Sequence, residues 1–90
     1  MASDNITLKD TVELMLSDDY KDRFKAEYFQ TKLRYDKLNR MIVKADAGTL
    51  EFEPDCPLNM LRAQLESMDV YLHMLAVRAE KEGIDLTWQG

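Results

Sequence analysis

Two stretches of the chain repeat apolar residues at alternating steps of three and four, which is the spacing of a packed helical stripe. The first stripe contains a polar threonine, and the second is followed by a glycine. We therefore predict two long helices, over about 18–47 and 57–82. The stripes consist of Phe24, Tyr28, Thr31, Tyr35, Leu38, Ile42 and Ala45, and of Leu58, Leu61, Leu65, Met68, Leu72, Leu75 and Ala79.

Residues at the ends of these stripes are typical of helix boundaries. The Ser-Asp-Asp run at 17–19 suits a helix start, because its side-chain oxygens accept hydrogen bonds from free backbone N–H groups. Pro57 suits the first position of the second long helix, and Gly48 and Gly83 suit left-handed helix ends. Because the connection is short, we predict an all-α fold built on an antiparallel helical hairpin.

The segments outside the hairpin are short. Thr7 followed by Asp10 forms a capping-box pattern, and the apolar spacing after it predicts a short helix over about 7–16. Residues 84–88 alternate apolar and polar side chains, which predicts a short extended tail, and residues 49–52 alternate in the same way. Two interpretations remain open: the two segments pair as strands between chains, or each folds irregularly over a helix end.

The length of 90 residues allows one domain, over residues 1–90, with a small core. Apolar residues beside the two stripes exceed what two helices can cover, so we expect a homo-oligomer. A single cysteine cannot form an internal disulfide, and the N-terminus lacks the pattern of a secretory signal. No apolar run is long enough to span a bilayer. These features predict a cytoplasmic protein without membrane contact.

Positive charge is concentrated in residues 21–44. This segment holds eight of the chain's twelve Lys and Arg residues against three acidic ones, although the whole chain has a net charge of −5. Two interpretations follow. The cations bind an anionic ligand, with tyrosine rings stacking on a base or sugar, or they neutralise the acidic third helix or a neighbouring subunit while the aromatic residues belong to the core. The candidate ligand-binding residues are Arg23, Tyr28, Arg34, Tyr35, Lys37, Arg40 and Lys44.

Duplex nucleic acid is not an expected ligand. Affinity for a duplex depends on neutralising many phosphates, and the acidic remainder of the chain repels a polyanion. A compact nucleotide meets only the local charge, because salt screens charges more than about 10 Å away.

Signals for catalysis or metal binding are weak. His73 has Asp69 and Glu66 on the same side of its helix, but the paired Glu-x-x-His repeats of di-metal bundles are missing from the sequence. Cys56 precedes Pro57 without a histidine nearby in sequence, which favours a capping or packing role. We therefore predict no catalytic residues, no metal site and no cofactor.

Four motifs support a family resemblance: Asp-Asp-Tyr at 18–20, KLRYDK at 32–37, GTLEFEPDC at 48–56 and RAEKEGIDL at 78–86. With these motifs, residues 16–86 resemble a family of small phage and prophage proteins that are related to a gene product of a crAss-like phage. The resemblance implies an accessory phage protein in the cytoplasm of an infected bacterium. It implies no catalytic residue.

Small accessory phage proteins often act against host defence, and the basic segment suggests how. The predicted function is to sequester an anionic nucleotide immune signal. One alternative is an inhibitor or adaptor that docks on a host protein through helix residues such as Phe29, Leu33 and Met41, together with neighbouring arginines. Another alternative is a structural or assembly component of the phage particle.

Overall fold

The computed structural model describes residues 6–87, and they form helices joined by short connections. A 3₁₀ turn at Leu8–Thr11 leads into a short helix α1 at Val12–Met15. The two long helices are α2 at Tyr20–Ala47 and α3 at Leu58–Glu82. Among residues 6–87 no strand is present. The prediction of an all-helical chain with two long helices is confirmed.

Capping interactions place the ends of the helices. The Asp19 carboxylate accepts a hydrogen bond from the Lys21 N–H at 2.9 Å, so Asp19 caps the start of α2. The helix ends at Gly48 with φ of 77°, and α3 ends at Gly83 with φ of 71°. Both glycines adopt the left-handed conformation that side chains disfavour. Both long helices therefore end at the glycines that the sequence predicted.

The two long helices pack antiparallel. At one end of the pair, Tyr20 of α2 donates a hydrogen bond to Glu82 of α3 at 3.0 Å, and Arg78 donates to the Tyr20 hydroxyl. Desolvation and the hydrogen bond to Glu82 raise the pKa of Tyr20 above its usual value. At the other end, Asp46 of α2 pairs with Arg62 of α3. These long-range contacts fix the direction of the hairpin.

The core lies at the end of the hairpin where α2 begins and α3 ends. Phe24, Leu75, Ala79 and Ile84 are buried together, and Tyr28 and Leu86 pack against them. The Arg78 guanidinium lies 4.9 Å from the Phe24 ring centroid and covers this cluster. Residues of the second stripe thus meet the first stripe in the core, while the other side of α3 is exposed.

Within one chain, the segments that alternate in the sequence do not pair as strands, and their pairing between chains stays a prediction. Residues 49–52 and 84–87 have no strand geometry. The reason in the tail is local: the Ile84 N–H donates to the Ala79 carbonyl at 2.9 Å, and the Asp85 carboxylate accepts from the Thr87 N–H at 2.8 Å. The first bond closes the end of α3 and directs Ile84 into the core, and the Thr87 bond lowers the pKa of Asp85. Trp88 lies outside the described residues.

The segment before α2 covers a second side of that helix. Thr11 is fully buried, and its hydroxyl accepts a hydrogen bond from the Gln30 amide at 2.8 Å while donating to the Leu8 carbonyl at 2.7 Å. Ala26 and Phe29 of α2 are buried as well. In the part of the chain that is described, no helix has both the length and the apolar composition needed to cross a membrane.

Candidate ligand-binding groove

A groove of about 700 Å³ lies between the C-terminal half of α2 and the N-terminal half of α3. Leu8 of the 3₁₀ turn contributes to one part of its lining, and Leu50 and Phe52 of the connection between the long helices contribute to another. The volume falls in the range of about 300–1,000 Å³ that is usual for small-molecule sites. The groove is therefore large enough for a ligand of nucleotide size.

Four cationic side chains line the groove from α2. Arg34, Lys37, Arg40 and Lys44 recur every three or four residues, so they lie on one side of the helix over about 15 Å. All four are exposed. Within residues 6–87 none of them forms an ion pair with a carboxylate, and the described lining contains no acidic residue. The groove thus has positive charge that the described part of the chain does not neutralise.

The floor of the groove is apolar. Leu38 and Met41 of α2 lie between the cations, and Leu61 and Met68 of α3 face them. All four side chains are half-buried. They belong to the outer parts of the helix contact, where the two long helices do not cover each other completely. Gln64 adds an amide that can donate and accept hydrogen bonds.

Phe52 gives the groove an aromatic ring that is not used in the core. Its side chain is 59% exposed, although it is among the larger apolar residues of the chain. Sequence reasoning did not identify Phe52 as a site residue, because the candidate residues were taken from the basic segment at 21–44 and periodicity does not describe the path of the connection. The available signal was a phenylalanine in a turn that directly follows the basic segment.

The connection that carries Phe52 is anchored next to the cations. Arg62 of α3 forms a two-pronged ion pair with Asp46 of α2, and its hydrogen bonds lower the pKa of Asp46 below the usual value. The Thr49 N–H donates to the Lys44 carbonyl at 2.9 Å, which closes the end of α2. The chain therefore leaves α2 in a fixed direction beside Lys44, and Phe52 is reached four residues after Gly48.

The structure separates the candidate residues into three groups. Arg34, Lys37, Arg40 and Lys44 share the groove. Arg23 lies near the start of α2, where its guanidinium donates to the Ser17 carbonyl at 2.7 Å. This contact holds the segment before α2 and places Arg23 outside the groove lining.

Tyr28 and Tyr35 line a different recess, of about 400 Å³, between α2 and α3. The Lys32 ammonium lies 5.6 Å from the Tyr35 ring centroid and forms an ion pair with the Asp36 carboxylate at 3.1 Å. Asp36 and Asp69 both contribute to the recess, so its lining is electrostatically mixed. The recess is a poorer place for an anion than the groove.

His73 and Asp69 also line this recess. Within the described residues, no group of three or more His, Cys, Asp and Glu side chains is placed to hold a metal ion. Cys56 is a half-buried free thiol in the connection.

Comparison with known protein families identifies a match. A protein-family model described as Sequestin matches residues 18–81, which include α2, the connection and α3. All residues that line the groove except Leu8 lie in this range. No curated protein and no solved structure shows significant similarity to the chain. Since the match covers more than two thirds of the sequence, the chain belongs to the Sequestin family.

Proposed function

We propose that the protein binds and sequesters an anionic nucleotide in the groove between α2 and α3. The observation that carries this proposal is the set of four cations, Arg34, Lys37, Arg40 and Lys44, that line an apolar groove without an acidic residue in its described lining. Arginine and lysine donate charge-assisted hydrogen bonds to phosphate oxygens. The family name, Sequestin, agrees with a protein that withholds a molecule from other proteins.

A nucleotide fits this lining better than a simple anion does. Phosphate groups can extend along the cations, while a base needs an apolar or aromatic surface. Phe52 supplies an aromatic ring, and the floor of the groove, which includes Leu38 and Met41, supplies an apolar surface beside the charges. Inorganic phosphate would contact the cations, and the apolar part of the groove would remain in contact with water. The combination of both surfaces favours a ligand that has a phosphate part and an aromatic part.

The resemblance to phage proteins gives this binding a biological setting. In the host cytoplasm, a small protein made in excess lowers the free concentration of a signal by mass action, provided that its Kd lies below the signal concentration. The proposed ligand is a nucleotide signal that a bacterial immune system produces. Such a protein blocks the defence without catalysis, because each bound signal molecule is removed from its receptor.

Docking on a host protein is the alternative that uses many of the same residues. Phe29 would then serve as an anchor on the exposed helix face. It is only 3% exposed in the folded chain. Its burial weakens this alternative and leaves the groove as the better supported place for a ligand.

Native mass spectrometry tests the proposal. The protein is purified from bacteria with an active nucleotide-based defence system and from bacteria without it. We expect an additional bound mass of nucleotide size in the first sample alone, in a simple ratio to the number of chains. Bare chain mass in both samples, after several classes of defence system have been tried, would contradict the proposal.

Phe52→Ala is expected to weaken nucleotide binding by about 5- to 150-fold, since stacking on an aromatic ring contributes about 1–3 kcal/mol per base. The measurement is calorimetric titration with the nucleotide released by heat from the wild-type protein. Phe52→Trp, which keeps a ring, serves as the control and should bind within a few-fold of wild type. Equal affinity of Phe52→Ala and wild type would show that the ring does not contact the base.

A further inference from the structure

The outer face of α3 consists of Met60, Ala63, Ser67, Val70, Met74 and Val77. These residues lie on the side opposite the stripe that packs on α2, and all of them are exposed. Val70 is 61% exposed and Met74 is 56% exposed. Water therefore contacts a continuous, largely apolar strip along the helix.

The spacing of this strip is that of a helix-packing surface. The steps are three, four, three, four and three, as in the stripe that contacts α2. The strip extends about 26 Å along the helix axis. Ser67 does not oppose burial, because its hydroxyl donates to the Ala63 carbonyl at 3.0 Å and is thus satisfied within α3. The face has the pattern and the polarity to pack against another helix.

We propose that the outer face of α3 packs antiparallel against the same face of a second copy of the chain, with the two-fold axis near Val70. The sizes of the side chains carry this assignment. The N-terminal half of the face has the small residues Ala63 and Ser67, and the C-terminal half has the larger Met74 and Val77. An antiparallel pair places each small residue opposite a large one, whereas a parallel pair places small against small and leaves voids.

The charged residues that flank the face agree with the same arrangement. With the axis near Val70, Glu66 of one copy lies opposite His73 of the other. Tyr71 lies near its own symmetry mate. No like charges face each other in these pairs. A parallel pair would instead bring Lys81 beside Lys81 at one end of the contact.

Measurement of molecular mass by light scattering tests the contact. We expect at least twice the chain mass of 10.5 kDa for the wild type. Val70→Glu combined with Met74→Glu should lower this mass, because it places four carboxylates in the contact of each pair. Val43→Glu is the matched control, since Val43 is 57% exposed on α2 and outside the face, and it should leave the mass unchanged. A monomeric wild type, or a double variant with the wild-type mass, would overturn the proposal and leave the face available to a different protein.

Disulfide trapping tests the orientation and does not depend on whether the charged variants fold. Chains with Ser67→Cys and chains with Met74→Cys, both in a Cys56→Ser background and distinguished by tag length, are mixed and mildly oxidised. In the antiparallel pair these two positions lie opposite each other. Two copies of the same position are about 10 Å apart along the axis, beyond the reach of a disulfide. We expect mixed dimers only. Disulfides between identical chains, or the absence of any trapped dimer, would overturn the arrangement.

Discussion

Reversing two charges in the groove, with Arg34→Glu and Lys37→Glu together, is expected to weaken nucleotide binding by at least about 100-fold. Hydrogen bonds to charged groups contribute about 1.5–3 kcal/mol each, so the loss of two corresponds to at least about 3 kcal/mol. The two new carboxylates also repel phosphate from the same surface. Exposure of the groove keeps the expected effect near the lower end, since solvent screens exposed charges.

The measurement is the same calorimetric titration with nucleotide released from the wild-type protein. Lys9→Glu combined with Lys21→Glu is the matched control, because it changes the net charge equally at two exposed residues outside the groove. We expect this control to bind like the wild type. If both double variants lose affinity equally, the overall charge of the chain and not the groove attracts the ligand. If neither loses affinity, the nucleotide binds elsewhere.

The second large effect is expected for Leu75→Ala, which should lower the free energy of unfolding by about 3 kcal/mol. Leu75 is 1% exposed and lies at the centre of the cluster with Phe24, Ala79 and Ile84. Truncation of a buried leucine costs about 2–5 kcal/mol, because the removed atoms lose their contacts and the site collapses only in part. A domain of this size has about 5–10 kcal/mol in total, so the variant would lose a large share.

Urea denaturation followed by circular dichroism measures this change, at one fixed chain concentration because association also stabilises the folded state. Val43→Ala removes apolar atoms from an exposed position on α2 and should change the free energy of unfolding by less than about 0.5 kcal/mol. Equal midpoints for Leu75→Ala and Val43→Ala would show that the cluster around Phe24 is not the centre of stability.

The α3 helix shows how far apolar spacing alone predicts structure. Each residue of its predicted stripe, from Leu58 to Ala79, is buried or half-buried, and the other residues of α3 are exposed. The spacing was sufficient here because α3 packs on one neighbour in the described chain. On α2 the spacing was less informative, since Ala26 and Phe29 lie off the stripe and are nevertheless buried. The helix α2 has a second neighbour, because the N-terminal segment also packs on it.

Alternation predicted an extended tail at 84–88 but left open whether the tail pairs between chains or folds over a helix end, because a pattern of five residues does not identify the surface on which it packs. Ile84 follows a glycine in the left-handed conformation, and this glycine redirects the chain towards Phe24. The alternation then reflects Ile84 in the core and Leu86 packed against it, with Asp85 and Thr87 exposed to solvent. Tertiary packing therefore decided the conformation of this segment.

Helix geometry was sufficient to predict which cations of α2 lie on one side of the helix. The four cations of the groove were recognised from their spacing on α2, because residues three or four apart share a side of a helix. Arg23, Tyr28 and Tyr35 satisfied the same spacing rule, but the N-terminal segment and α3 place them in other surroundings. Phe52 was missed because its position depends on the path of the connection, which no periodicity describes.

The position of the core has a consequence for synthesis on the ribosome. Phe24 is translated early, whereas its core partners Leu75, Ala79 and Ile84 are translated many residues later. Translation proceeds at roughly 5–20 residues per second, so α2 is synthesised several seconds before α3 is complete. A nascent chain stopped before α3 is complete exposes the apolar stripe of α2 and is a substrate for proteases. The cell therefore accumulates complete hairpins, because shorter chains are degraded.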